Sequence, residues 1–520
     1  MLKILLTHEI QNLLKSKRVY WTILMFLVLF ASVFIVRVID YQKQLNQYIA
    51  DTSHVDETLQ NAANYSHINP MPIQQPIIFS IYNQGFSFPR VISIRFYEPI
   101  ISTTSINEVS NIIYTKNTRL DITFLVSFFL SLFILLITYD SINGEKQDGT
   151  LRLIMTFPLK RQSFILKKIL GVFILVAVTF TLPFMLSLFC LIVIYANLLT
   201  INFFLSAFFY WFLVILFIFF FLLLGIFISA CSGNPSRSLV YSLLIWILFA
   251  IVLPTSWKHI ISPMIYDDSM ALLNQNYEDK YHLAQRIFNL EDLDETKYNA
   301  ADLNIHWGSY WHWSGGPFYS VQIWSHHEMY EARNRRAKYT FDEYYPVSME
   351  VEQAMDQVYR KRISIENAKN WIFFFDPIVL FENLSMKITG NSREDHLKFL
   401  HDARIIRADL VNLGIYEGWL LDWRFYARYN YEITHALGGI WEYYTAMEEN
   451  PDLDHSYPTY DEAENNLFIF DTPTINRYSQ PIFTFGEIFE RIWVYLGMFV
   501  GSIVVLWLFT WWKFMRYDVR

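Results

Sequence analysis

The residues that come closest to a catalytic signature lie in NGEKQDGTLRLIMTFPLKR, positions 143–161. Gly144 and Gly149 are spaced as in a phosphate-cradling loop, where backbone N–H groups wrap a phosphate and a Lys reaches its outer oxygens. Here Thr150 follows Gly149 directly, so that Lys is missing. No buried strand precedes the loop, and apolar runs flank it where a βαβ unit would be required. The stretch is therefore not a nucleotide site. WSGGP, 313–317, shares only its Ser-Gly-Gly core with the signature loop of a transporter ATPase, so the chain is not expected to hydrolyse ATP itself.

Metal and hydrolase chemistry fare no better. His327-Glu328 opens like a zincin helix, but Glu331 stands where the second His is required. His396 and His401 are five residues apart, which does not place both on one helical face as an i, i+4 pair would. No G-x-S-x-G elbow occurs. Trp307, Tyr310, Trp311 and Trp313 in HWGSYWHWSGG, 306–316, suit packing, a membrane interface or a stacking platform. No catalytic residue, bound cofactor or metal is expected, nor a nucleic-acid partner.

The elements that must position the 143–161 loop are membrane spans. Hydrophobic residues make up 53% of the 520-residue chain, and the mean hydropathy is +0.22, above the range of soluble proteins. Six windows near the length of a spanning helix, 19–36, 122–139, 169–197, 203–230, 238–257 and 492–512, contain no Asp, Glu, Lys or Arg. The first is too long for a signal peptide and has no cleavage site after Arg37.

Orientation follows from the flanking positive charges. Segments 1–18, 140–168, 231–237 and 513–520 hold 14 Lys and Arg against 5 Asp and Glu, whereas the whole chain nets −8. The expected topology is N-in and C-in, with outside segments at 37–121 and 258–491. Residues 1–18 pattern as an amphipathic interfacial helix. The first outside segment reads as a small extended or mixed subdomain, with short β-branched and aromatic runs between prolines around 69–99. The second reads as a mainly helical domain, with patterns at 267–297, 322–343, 348–370 and 393–413. NWIFFFDPIVLF, 370–381, is apolar but too short to span, which suggests packing or an interfacial position. Cys190 and Cys231 fall near opposite membrane faces and are not expected to pair. Charge-free spans argue against an ion-driven path, and Gly497-Met-Phe-Val-Gly501 offers a possible close-approach seam.

The inside loop runs Asp140, Glu145, Gly149-Thr150-Leu151, Pro158, Arg161 and Lys167 or Lys168. This order resembles the ABC-2 type permease family. Asp376-Pro377, Gly390-Asn391-Ser392 and PIFTFGE, 481–487, resemble a bacterial subfamily with a large extracytoplasmic insert between spans five and six, although Asn391 stands where Thr is usual. The resemblance implies an α-helical polytopic fold of the type V exporter kind, in which 1–18 is an elbow helix and 140–168 a coupling loop. It also implies one half of a transmembrane dimer, completed by a second copy or a sister permease. That dimer would sit in a bacterial inner membrane on a separate ABC ATPase dimer, which carries the ATP and Mg. Glu145, Asp148, Gly149, Thr150, Leu151, Pro158 and Arg161 are then the ATPase-coupling residues, and the activity is export or translocation. The alternative is a mechanotransmission subunit that moves outside partners without transport.

Overall fold

Long apolar runs without charge can satisfy their backbone inside a bilayer only as helices, and helices dominate the computed structural model. It describes residues 2–60, 68–85, 120–151, 161–256, 268–291, 335–368 (Ala337 aside), 374–416 and 485–516, with isolated positions between them. The aromatic stretch 306–316, the zincin-like 326–331 and Pro158 lie outside the described residues.

Helix α1 is Leu2–Lys15 and α2 is Lys17–Gln60. Helix α3 runs through Ile122–Phe124, a π-helical segment Leu125–Leu130, and Ser131–Thr138. The short α4 is Asn143–Gln147, α5 is Arg161–Tyr195 and α6 is Ile201–Cys231. Helix α7, Pro235–Ile247, passes into a second π-helical segment, Leu248–Val252. The segment expected outside contributes α8 (Asp268–Phe288), α9 (Tyr345–Ala368), α10 (Pro377–Thr389) and α11 (Arg393–Tyr416). Helix α12, Phe485–Met515, closes the chain. Among the described residues there are six helices long and apolar enough to cross a membrane, and the one β-pairing is the isolated bridge Ile73–Val91.

Helix α6 is the centre of the bundle. Its apolar window is 72% buried, against 17% for α7 and α12. Gly225 lets α3 reach it, because a Cβ there would lie 1.8 Å from Thr138 Oγ1. Helix α2 departs most from the 19–36 window. Its 44 residues make about 66 Å of helix, twice a hydrocarbon core of about 30 Å, so it continues well beyond the membrane. Within 37–121, read as extended or mixed around 69–99, the chain is helical as far as Gln60.

At the outer end the chain folds back into the bundle twice. Segment 78–85 plugs the mouth between α2, α3, α5 and α6. Buried Arg37 holds it to α2, donating to Gln84 Oε1 (3.0 Å) and the Ser80 carbonyl (2.8 Å) and pairing with Asp40 (2.6 Å). Tyr82 bonds Ser187 Oγ (2.8 Å), and Asn83 Nδ2 donates to Ser385 Oγ. The second return is α10. Phe374 lies 4.0 Å from where a Cβ on Gly501 would be, mid-way along α12, and Phe381 stacks against Phe217, mid-way along α6, with ring centroids 4.4 Å apart. The helix thus starts at mid-membrane depth and climbs outward, which gives the packing expected of 370–381 a specific form. Asp376, fully buried, caps it by accepting from the backbone N–H of Ile378 (3.1 Å) and Val379 (3.2 Å), Pro377 fits the first turn, and Gly390 ends it at φ +71°.

Away from the six long apolar helices, Met270, Tyr277 and Ala284 recur every seventh residue on α8 and pack on Val351, Ala354, Met355 and Val358 of α9. Helix α11 joins α9 through a buried Arg407–Glu352 pair (2.6 Å) and an Arg404–Asp356 pair. Its N-terminus is tied to α12, since Asp395 accepts from the Ser392 backbone N–H (2.9 Å) and pairs with Arg491. Gly85 fits tightly under this junction, for a Cβ there would lie 2.4 Å from the Asn391 carbonyl oxygen. Cys190 and Cys231 are both free.

Two expectations follow. Gly225→Ala overpacks the α3–α6 contact and lowers the stability of the purified protein by about 1–3 kcal/mol, read as a drop in melting temperature. Gly497→Ala, where nothing lies within 4 Å, leaves it unchanged. On α11, burial and then the Arg393 charge push the His396 pKa down from 6.5 to about 3. The unfolded chain therefore takes up this proton first. The contribution is complete above about pH 6.5 and drains away as pH falls toward 3. Melting temperature should fall between pH 7 and 4, and His396→Gln should flatten that slope.

Candidate functional site

The loop after α3 is held from two sides. Its first turn hangs on α6, because Ser229 Oγ accepts from the backbone N–H of Ile142 (3.1 Å) and Asn143 (3.3 Å). Its middle is held on α5, because Glu145 pairs with Lys168. Lys168 also donates to Glu9 of α1 at 2.8 Å, and Lys167 lies 3.4 Å from the same carboxylate. Two carboxylates and two ammonium groups thus form a neutral, mostly buried cluster joining α1, α4 and α5. Removing charges from water costs several kcal/mol each unless they are paired in this way.

The cluster depends on a glycine. Lys167, Lys168 and Gly171 share one face of α5, and the Glu9 stem crosses it where a Cβ on Gly171 would lie 2.8 Å from Glu9 Cγ. Helix α1 is therefore docked on α5 through a buried acid, a more specific attachment than an amphipathic helix resting on lipid. Arg18 adds an outer tie at the start of α2, donating to both Asp140 oxygens (3.1 and 2.9 Å) and to the Tyr139 hydroxyl (2.7 Å).

The predicted coupling residues divide into two groups. Glu145 and Leu151 face inward, the first with a side chain 21% exposed and the second fully buried. Asp148, Gly149 and Thr150 are exposed and form a tip. Gly149 takes φ +74°, which favours glycine, and Thr150 Oγ1 donates back to the Glu145 carbonyl at 3.1 Å, closing the turn. Arg161 caps the other end of the chain, donating to the Met515 carbonyl at the end of α12 (3.0 Å). Arg161 thus belongs to the span-end framework, away from the tip. Glu9 and Ser229 were not singled out from the sequence. Glu9 had a visible signal as the only acid among the four bases of residues 1–18, whereas Ser229 had none.

A family model described as an ABC-2 family transporter protein matches residues 4–519. The chain belongs to this ABC-2 transporter family. Membership spans essentially the whole sequence, residues 258–491 included, and the helical, multi-pass architecture agrees with it. Curated proteins give no significant match. Family membership makes this ABC-2 protein a transporter membrane subunit that works with an ABC ATPase. Among the described residues no group of His, Cys, Asp and Glu is placed to hold a metal.

Within this ABC-2 protein the buried cluster predicts an asymmetry. Lys168→Met leaves two carboxylates facing each other without their shared partner and should cost about 3–5 kcal/mol, measured by unfolding in mixed micelles. Glu145→Gln, whose side chain is partly wet, should cost less.

Proposed function

We propose that this chain is one half of the membrane dimer of an ABC exporter, with its N- and C-termini on the ATPase side. Helix α4 and the 148–150 tip receive the stroke of the ATPase. One observation supports this most. The loop is anchored to two different spans, by Ser229 and by Lys168, while its tip stays open beyond the ends of α3 and α5. A loop that only set topology would have no need of two buried anchors. Load on the tip would pass directly to α5 and α6. The substrate leaves on the side of α8 to α11, in a bacterial inner membrane, and the dimer partner is a second copy or a sister permease.

A second reading has its own support. Helix α11 follows α10 after only Gly390, Asn391 and Ser392, and Arg491 ties α11 to α12, so movement in the bundle would reach the outside domain without any cargo. Reconstituted vesicles separate the two, because ATP-dependent flux belongs to the exporter alone.

The coupling reading is tested with the purified permease and the ATPase encoded beside it. Asp148→Arg at the tip should lower stimulation of ATP hydrolysis by about tenfold, the effect of roughly 1.4 kcal/mol at the interface. Its melting temperature should match the parent. Stimulation equal to the parent would remove α4 from the coupling path.

A further inference from the structure

Helix α10 brings ionisable chemistry to a depth that the spans themselves leave uncharged. Glu382 is half-buried and accepts a hydrogen bond from Ser127 Oγ at 3.0 Å. Ser127 lies within the membrane-spanning part of α3, and Phe381, the neighbour of Glu382, touches the middle of α6. A carboxylate at this depth is expensive; such groups pair with neighbours, face the bundle interior or a water-filled cavity, and mark substrate paths.

Its surroundings have two further properties. Helix α10 packs against two of the three π-helical segments among the described residues, Leu125–Leu130 of α3 and Leu248–Val252 after α7. Such segments concentrate at functional positions because they widen the helix and free backbone groups. The same side of α3 also carries an aromatic stack. Phe124 lies on Phe128 with centroids 5.3 Å apart and planes at 14°, and Phe128 meets Trp246 at 4.7 Å. Phe124 and Phe128 are half-buried, as are Val379 and Asn383 beside Glu382 on α10.

We infer that Glu382, with the Phe124–Phe128–Trp246 stack, forms a membrane-depth subsite for lipophilic organic cations. The carboxylate supplies the counter-charge, and the ring faces supply the quadrupole attraction that cations receive from aromatics. An anion of the same size would meet the carboxylate as a like charge. The inference rests on the permease reading for its purpose, since it names a substrate class, but binding needs no ATPase.

Equilibrium dialysis of radiolabelled tetraphenylphosphonium against the full-length protein in lipid nanodiscs tests it. Saturable binding is expected, weakened by about tenfold or more in Glu382→Gln, the scale of one lost charge contact in a low-dielectric site. Glu382→Asp should retain part of the affinity, and tetraphenylborate, the same shape with opposite charge, should not compete. Photolabelling of the unaltered protein by an aryl-azide phosphonium should place adducts within 124–131 or 379–386, a result independent of how any variant folds. Absence of saturable binding, unchanged affinity in a folded Glu382→Gln, competition by tetraphenylborate or adducts elsewhere would each overturn the subsite. A bound cation with no ATPase stimulation would leave the subsite standing and fault the coupling reading instead.

Discussion

The attachment of α1 and α4 to the bundle rests on four charges. Glu9, Glu145, Lys167 and Lys168 are largely removed from water, and their total charge is zero. Each helix brings groups that the others need. If α1 left α5, both lysines would lose Glu9, and if α4 turned, Lys168 would lose Glu145. The penalty for an unpaired buried charge exceeds what most single contacts contribute, so the loop has one favourable orientation. Asp148 to Thr150 point outward because Glu145 and Leu151 are held inward.

The outer end obeys the same rule with neutral groups. Thr123 Oγ1 donates to the Tyr82 carbonyl and shares hydrogen bonds with Tyr210 and Ser385, each at 3.1 Å, which joins segment 78–85, α3, α6 and α10 at one point. Non-helical backbone is tolerated at membrane depth only where protein surrounds it and satisfies its polar atoms. Asp121 does this for the segment by accepting from the Gln84 backbone N–H (3.1 Å) as well as from Phe124 (2.7 Å). Arg37 performs the complementary task on the carbonyl side. The plug is therefore built from hydrogen bonds that α2 and α3 supply across sequence separations of 37 to 47 residues.

Legibility in the sequence followed the range of the interaction. The six spans were visible because apolarity over about twenty residues is a local property, and each window coincides over most of its length with one of the six long apolar helices. Asp376-Pro377 and Gly390 bound α10 by rules just as local, since capping is decided within one turn. Its depth was not visible. Residues 370–381 read as packed or interfacial, and it takes contacts with Phe217 and Gly501, each more than a hundred residues distant, to show that the helix enters the bundle. The spans carry no acid or base of their own in these windows, whereas α10 places Glu382 against Ser127 of α3. Glu145 illustrates the same limit at the inner face. Its residue type suggested an exposed contact for a partner, yet its orientation was set by Lys168 on the next span.

Helix α6 connects the two ends. Ser229 at its inner end holds α4, Phe217 at its middle meets α10, and Tyr210 toward its outer end joins the plug. A helix buried along most of its length is poorly placed to bend, because bending would open voids against close-packed neighbours. Displacement of its inner end would be expressed mainly as a tilt or translation of the whole helix. Helix α10 would follow at the Phe217–Phe381 contact, and α11 would follow α10 through the short Gly390–Ser392 junction. The outer mouth can then respond to events at the 148–150 tip although no side chain reaches from one to the other.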